Sequence, residues 1–339
     1  MIRYLENNEK QNIRLLYEHC FNDGQPYTDY YFQQKLSEND VIINETNENK
    51  IASAMHIVTK NAIVGTLKTK IKYIYGVGTF IQYRNKGYMR EMFVRVLKDM
   101  FENMDAFTYL IPSNEANGEM YRKMGFEYVM DKFEIKPAEH RKKATHSLIL
   151  RKAEHSDLIR IAIFAQSSME KKYSVALVKD IEYFRKIEEL IRIEGGHIEI
   201  YVENKVIVGY RIWIDGEIFE EVLDDSIQAL SWLGSRSKPY AMARIINIRK
   251  TLRMLNFKNF DTKIIRVRDS VISENDGCFK ITYNHGNTRV DKFDEAQLKE
   301  EPKFDLTIGE ITAHIFGYKI IEGLPLVCQK DSFFINDYV

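Results

Sequence analysis

The residues best suited to chemistry stand in one short stretch, Ile81 to Phe101, reading IQYRNKGYMREMFVRVLKDMF. Its opening, Arg84-Asn85-Lys86-Gly87-Tyr88, sets two cations and a glycine before an amphipathic helix that begins at about Met89. A loop of this kind turns several backbone N–H groups and two positive side chains toward one point, the geometry that holds a diphosphate. The chemistry it predicts is work at the reactive end of a phosphate-bearing cofactor, with a second substrate placed beside it.

The elements that must position this loop are legible on both sides. Upstream, Ile71, Tyr73, Tyr75, Val77, Thr79 and Ile81 alternate with Lys72, Ile74, Gly76, Gly78 and Phe80, a strand pattern. Its two glycines predict a bulge or the close approach of another backbone or a ligand. Downstream, Met89, Met92, Phe93, Val96, Leu97, Met100 and Phe101 fall on one helical face, opposite Arg90, Glu91, Arg95, Lys98 and Asp99. A strand Phe107 to Ile111 follows, then a polar turn PSNEANG and a short helix over Glu119 to Lys123. Gly125 ends that helix as a left-handed cap before a strand Phe126 to Met130.

Arg84-Asn85-Lys86-Gly87-Tyr88-Met89 resembles the Arg/Gln-x-x-Gly-x-Gly/Ala pyrophosphate loop of the GNAT N-acetyltransferases. Met120-Tyr121-Arg122-Lys123-Met124-Gly125-Phe126 is similar to that superfamily's Y-x-K-x-G-F segment, with Asn114 at the usual upstream asparagine position. The resemblance covers roughly residues 1 to 135. It implies acetyl-CoA as cosubstrate, its diphosphate held by Arg84, Asn85, Lys86, Gly87, Tyr88 and Met89, with Asn114 at the cofactor. Backbone groups of Val77, Gly78, Thr79 and Phe80 would pair with the pantetheine amides like an added strand. Tyr121 is at the position of the general acid that protonates the leaving thiolate. Met89 departs from the pattern, standing where the family has a small residue, and is expected to crowd the phosphate or alter the helix tilt.

The chain also resembles itself. Ile2-Arg3-Tyr4-Leu5-Glu6 before an apolar helix is echoed by Leu150-Arg151-Lys152-Ala153-Glu154, and Glu48-Asn49-Lys50-Ile51 by Glu203-Asn204-Lys205-Val206, each the turn of a hairpin. Two homologous modules are expected. In the second, the strand Glu217 to Leu223 runs through Asp224-Asp225-Ser226 straight into a helix, IQALSWLG. Two carboxylates at that position would repel a diphosphate. The second module is therefore read as a structural or substrate-shaping partner.

From about Tyr240 the pattern changes. AMARIINIRKTLRMLNF reads as a helix, followed by strands Lys263 to Val267 and Phe279 to Tyr283 across an Asn275-Asp276-Gly277 turn, a strand Phe304 to Ile308 and a helix Ile311 to Phe316. This order resembles the sterol carrier protein-like domain that closes the Eis (enhanced intracellular survival) family of GNAT proteins. Arg244-Ile245-Ile246-Asn247 stands at its entry and Asp305-Leu306-Thr307-Ile308 in its second half. The fold expected is α/β (α+β): tandem GNAT-like domains with mixed central sheets and a sterol carrier protein-like α+β domain, at residues 1–140, 146–238 and 240–339. In that family the C-terminal carboxylate enters the active site to deprotonate the amine, which the resemblance assigns here to Val339. The ending DSFFINDYV is apolar and aromatic, as a buried terminus would be.

Composition narrows the partners. With 49 basic and 49 acidic residues the net charge is zero, so no global field recruits nucleic acid or an anionic membrane. No apolar stretch approaches the roughly 20 residues of a membrane span, and MIRYLENNEK lacks a signal peptide's apolar core. Three distant cysteines fit a reducing cytoplasm, and His19, His56, His140, His146 and His155 show no spacing for a metal or a triad. The basic run at residues 140–143 reads as a solvated linker. The expectation is a cytoplasmic acyltransferase acting with acetyl-CoA on a primary amine of a small molecule or lysine, without metal, nucleic acid or membrane, with room for a homo-oligomer. A catalytically weak acyl-CoA-binding protein or a hydrophobic-ligand carrier is the alternative.

Overall fold

The computed structural model describes residues 1–136, 147–258, 260–284, 286–294 and 302–336; the basic run at 140–143 and Val339 lie outside them. The chain opens with β1 (Ile2–Tyr4), α1 (Arg14–Cys20) and α2 (Gln25–Tyr30). An antiparallel meander follows, β2 (Asp40–Glu45), β3 (Ile51–Val64) and β4 (Leu67–Thr79). Then come α3 (Tyr88–Glu102), β5 (Phe107–Leu110), α4 (Glu115–Arg122) and β6 (Glu127–Ile135). The next stretch holds β7 (Leu148–Lys152), α5 (Leu158–Lys172), β8 (Tyr173–Leu177), α6 (Ile181–Glu194), β9 (Gly196–Glu203), β10 (Val206–Ile214), β11 (Glu217–Leu223) and β12 (Leu233–Ile245). The last holds α7 (Ile248–Met254), β13 (Phe260–Arg268), β14 (Gly277–Asn284), β15 (Asn287–Phe293), β16 (Phe304–Thr307), α8 (Ile308–Ile315) and β17 (Asp331–Phe334).

Among the described residues these strands form a nine-stranded mixed sheet and two four-stranded sheets. The first sheet runs β1-β2-β3-β4-β5-β12-β6, with β8 on β3 and β17 on β8. The second, β7-β9-β10-β11, repeats the order of β1-β2-β3-β4, with helices again between its first and second strands. Both predicted hairpin turns are present. Asn49, Asn204 and Lys205 take positive φ (57°, 49° and 66°), the handedness that matches strand twist. The tandem arrangement read from the two sequence echoes is thus a repeat of topology.

α3 buries Met92, Phe93, Val96, Leu97 and Met100 against the first sheet, the face its periodicity predicts. α4 starts at Glu115, four residues before the expected Glu119, because the Asn114 side chain accepts the Asn117 N–H at 2.9 Å and caps it. At its other end Phe126 N–H reaches Tyr121 O and Gly125 N–H reaches Arg122 O, with Gly125 at φ +82°. That pair of bonds is a Schellman ending.

Three expectations are corrected. The segment from Tyr240 is not one helix: Ala241–Ile245 end β12, which inserts between β5 and β6, and only Ile248–Met254 are helical. Both faces of that central strand are covered, so its residues are buried without alternation and periodicity cannot distinguish strand from helix. After β11 the chain makes a 3₁₀ turn, Asp225–Leu230, and enters β12 directly, where the helix IQALSWLG was expected. Asn275–Gly277 is not a tight hairpin either. Residues 269–276 separate β13 from β14, and the Asn275 amide donates to Ile246 O (2.9 Å) and to Asp269 (3.1 Å). The longer connection serves a junction.

That junction joins the last domain to the first sheet. The fully buried Arg244 guanidinium donates to Asp269 at 2.7 and 2.9 Å and to Met124 O at 2.8 Å. A Cβ on Gly125 would lie 2.6 Å from Ile308 Cγ2 and 3.0 Å from Arg244 Nε, so close packing and positive φ both call for glycine there.

Candidate active site

β4 and β5 run parallel but pair only at Lys72–Thr108 and Tyr73–Tyr109, and beyond those pairs they part. The opening that results is lined by the second half of β4 and by the end of β5 leading to Asn114. In that half of β4 the register with β3 slips between Ala54–Gly78 and His56–Tyr75, and Gly76 takes φ +56°. This is the bulge predicted from the two glycines. The glycines also make room, since added Cβ atoms would stand 3.1 Å from the His56 ring at Gly76 and 3.0 Å from Cys20 Sγ at Gly78. The bulge leaves Gly76 and Val77 without a register partner on β3, while Gly78 and Thr79 pair with Ala54 and Ser53 and the Phe80 N–H donates to Ala52 O at 3.1 Å.

The loop lies at the end of the same strand. A 3₁₀ turn, Ile81–Tyr83, carries the chain into Arg84, whose Nε donates back to Thr79 O at 3.2 Å. Asn85 (φ +60°) and Gly87 (φ +89°) are both left-handed, and such alternation turns successive N–H groups inward as an anion nest. Gly87 caps α3 without a side-chain bond, and the first bond into the helix is Glu91 N–H to Gly87 O. The N–H groups of Tyr88, Met89 and Arg90 precede that bond and sit at the positive end of the helix dipole. Arg84, Lys86 and Arg90 are exposed around this point. Glu91, a carboxylate in the first turn, is held by Asn44 Nδ2 at 2.9 Å, and Asn44 also donates to Tyr88 O. The loop therefore has the donors, the charge and the open face that a diphosphate requires. The half-buried Met89 side chain packs against the cluster that holds Met92, Phe93 and Tyr121.

Tyr121 projects from α4 into that cluster, with ring centroids 5.5 Å from Phe93 and 6.2 Å from Phe126. It is 7% exposed, and among the described residues its hydroxyl has no hydrogen-bond partner. Burial pushes its pKa up to about 12, so it holds its proton over the working range but donates it less readily than a free tyrosine.

No residue spacing announces the aromatic wall beside β4. Tyr75 O–H lies 2.5 Å from Tyr17 O–H, which donates to Asp23 at 2.5 Å, and Tyr27 O–H is 3.5 Å from Tyr75. Tyr31 bonds His56 Nδ1, and burial drives the His56 pKa down to about 3, keeping it neutral. These side chains come from α1 and the loop after it, from α2 and the π-helical turn Tyr31–Lys35, and from β3 and β4, and the fold brings them together.

The terminal segment runs toward the same place. β17 is parallel to β8, β8 antiparallel to β3, and β3 antiparallel to β4, so β17 points the way β4 does, toward the bulge. Phe333 packs against Phe107, Phe316 and Tyr109, Tyr109 stacks on Tyr73, and Ile335 and Asn336 are buried. In the second module, Asp224 caps the 3₁₀ turn by accepting the Ser226 N–H, Asp225 pairs with Lys171 and Lys172, and no residue from Asp224 to Trp232 has a positive φ. Nothing like the first module's loop is built there. Among the described residues no group of His, Cys, Asp and Glu could hold a metal ion, and no helix is long and apolar enough to cross a membrane.

Residues 1–129 match the family model of the acetyltransferase (GNAT) domain and residues 248–326 that of the sterol carrier protein domain. No curated protein matches the chain in sequence. Among solved structures, a probable N-acyltransferase from Enterococcus faecalis V583 is similar at 15% identity and a TM-score of 0.75, covering 94% of this chain and 90% of that one. A GCN5-related N-acetyltransferase from Anabaena variabilis is similar at 18% identity and 0.73 (93% and 90%). Eis1 from Mycobacterium abscessus is similar at 11% and 0.67 (92% and 88%). At these identities the likeness is one of fold, and it extends over 92–94% of this chain. By its N-terminal GNAT domain the chain is an enzyme of the acyltransferase class, built on tandem GNAT-like modules with a sterol carrier protein domain behind them.

Proposed function

We propose that the protein transfers the acetyl group of acetyl-CoA to a primary amine of a small molecule or a lysine. The observation that carries this is the convergence at one opening of the bulged half of β4, the parting of β4 from β5, and the left-handed loop that opens α3. Arg84, Lys86 and the first N–H groups of α3 hold the diphosphate. Backbone groups of Val77 to Phe80 align the pantetheine arm as a strand would, and Asn114, capping α4, fixes the far wall. When bound, the cosubstrate supplies a thioester carbonyl for the amine to attack. Tyr121 gives its proton to the departing thiolate, and the apolar pocket that raises its pKa also raises the basicity of the sulfur it meets.

The Eis-type reading adds the chain's own end. Three residues separate the buried Asn336 from the Val339 carboxylate, a reach of about 10 Å, and the segment already points along β4. That carboxylate would draw the ammonium in and take its proton. Division into 1–140, 146–238 and 240–339 gives the cofactor to the first part alone, with β12 as the strand by which the others join it. A cytoplasmic location and a homo-oligomer are compatible with this reading. The decisive experiment is acetyl-CoA titration with thiol release on a panel of amines, on the wild type and on a form extended by a few C-terminal residues. Turnover that falls sharply in the extended form at unchanged acetyl-CoA affinity supports the assignment of Val339. An unchanged rate removes it.

A second reading, an acyl-CoA binder with little turnover, is favoured by one observation: a tyrosine with its pKa near 12 is a weak acid for this task. Tight acetyl-CoA binding without thiol release on any amine would select it.

A further inference from the structure

We infer that the buried pair Lys179–Glu220 in the second module is a latch that fixes the terminal segment 331–336, making the loop-less module the holder of the chain's own end. The two side chains are fully buried, with Nζ 2.8 Å from Glu220 Oε2. Lys179 Nζ also donates to Asn336 O at 3.5 Å and lies 3.7 Å from the Tyr183 ring centroid. Glu220 accepts from Tyr210 O–H at 2.5 Å and from Tyr183 O–H at 3.4 Å. Beside it Asn336 Nδ2 donates to Phe219 O at 2.6 Å.

Position is what makes this a latch. The ladder between β17 and β8 ends at Phe334–Ala176. Past it, Lys179 at the exit of β8 and Phe219-Glu220 on β11 take over the hold on Asn336, the last described residue. A buried ion pair is no better a stabiliser than well-packed apolar side chains of the same size. Its distinctive property is direction: the ammonium, held by a Glu220 carboxylate that Tyr210 and Tyr183 fix in turn, also donates to the Asn336 backbone carbonyl. Lys179 and Glu220 are thus positioning residues for whatever residues 337–339 do. Their kinetic consequence alone rests on the proposed role of Val339.

The test is hydrogen exchange on the full chain, comparing the wild type with K179M and with the double variant K179M/E220Q. The double variant leaves no stranded charge and guards against simple unfolding. A latch predicts that amides of Phe333 to Asn336 exchange faster by about tenfold or more in both variants, while peptides from β4 and α3 keep their rates and acetyl-CoA binds as before. Unchanged exchange in that segment, or equal acceleration throughout the chain, overturns the latch. Thiol release then separates the two claims. A fall in kcat at constant KM for acetyl-CoA supports both the latch and the terminal carboxylate. Faster exchange with unaltered kcat supports the latch and removes the carboxylate.

Discussion

Gly87→Ala probes the phosphate loop with a single methyl group. Gly87 holds φ +89° and ψ −10°, and a Cβ there would meet nothing closer than Glu91 Oε1 at 3.9 Å. No clash arises, so the cost is that of a left-handed L-residue, about 1–2 kcal/mol. The loop can keep its shape, lowering overall stability by about that amount. It can instead relax, turning the Tyr88 and Met89 N–H groups away and weakening acetyl-CoA by about 5- to 30-fold, since about 1.4 kcal/mol is tenfold. Calorimetric titration with acetyl-CoA and urea unfolding, read together, should lose about 1–2 kcal/mol in total. Asparagine tolerates this region, as Asn85 does two residues earlier at φ +60°, so Gly87→Asn should recover most of the loss. Affinity and stability both unchanged in Gly87→Ala would refute the loop as a built anion site. A loss without recovery in Gly87→Asn would show that backbone handedness is not the cause.

Three other outcomes follow from the same geometry. Tyr121→Phe keeps the ring against Phe93 and Phe126 and should lower kcat by about 10²- to 10⁴-fold with acetyl-CoA affinity intact; because burial lifts the hydroxyl to about 12, Tyr121 should add no alkaline fall in the wild-type pH–rate profile below about pH 10. Arg244→Met strands the buried Asp269 and should cost about 3–5 kcal/mol in denaturant unfolding, whereas R244M/D269N should cost much less; equal losses would mean that the ion pair does not weld the domains. His56 is held neutral with its pKa near 3, so the unfolded state binds more protons between about pH 3 and 6.5, and stability should fall as pH drops through that window; His56→Asn should flatten that part of the stability–pH curve.

What could be read from the sequence was whatever local chain geometry controls. The bulge follows from Gly76 and Gly78, the loop from Arg84 to Gly87, the helix face from Met92 to Met100, and the second helix end from Gly125. The repeat emerged because turn residues such as Asn204-Lys205 carry a backbone requirement. The misses lie where tertiary structure decides. Met242 and Arg244 look helical in a run that is a central strand, because a strand covered on both faces loses its alternation. β8 and β17 are short apolar runs whose partners lie far away in sequence. Tyr17 meets Tyr75, and Lys179 meets Glu220, only through tertiary packing, so no spacing announces either pair. Met89 shows the same division: its place in the loop is local, but its packing against the cluster beneath α3 is tertiary.

The loop from Arg84 to Met89 and the bulged β4 are proposed to hold acetyl-CoA for transfer to an amine. Mixing the protein with acetyl-CoA and a panel of primary amines, and following free thiol together with the mass of the acceptor, tests it most directly. One acetylated amine is expected for each thiol released, with turnover lost when Arg84→Ala and Gly87→Ala are combined. Saturable transfer that survives that double substitution, or no acetyl-CoA binding by the wild type, would contradict it.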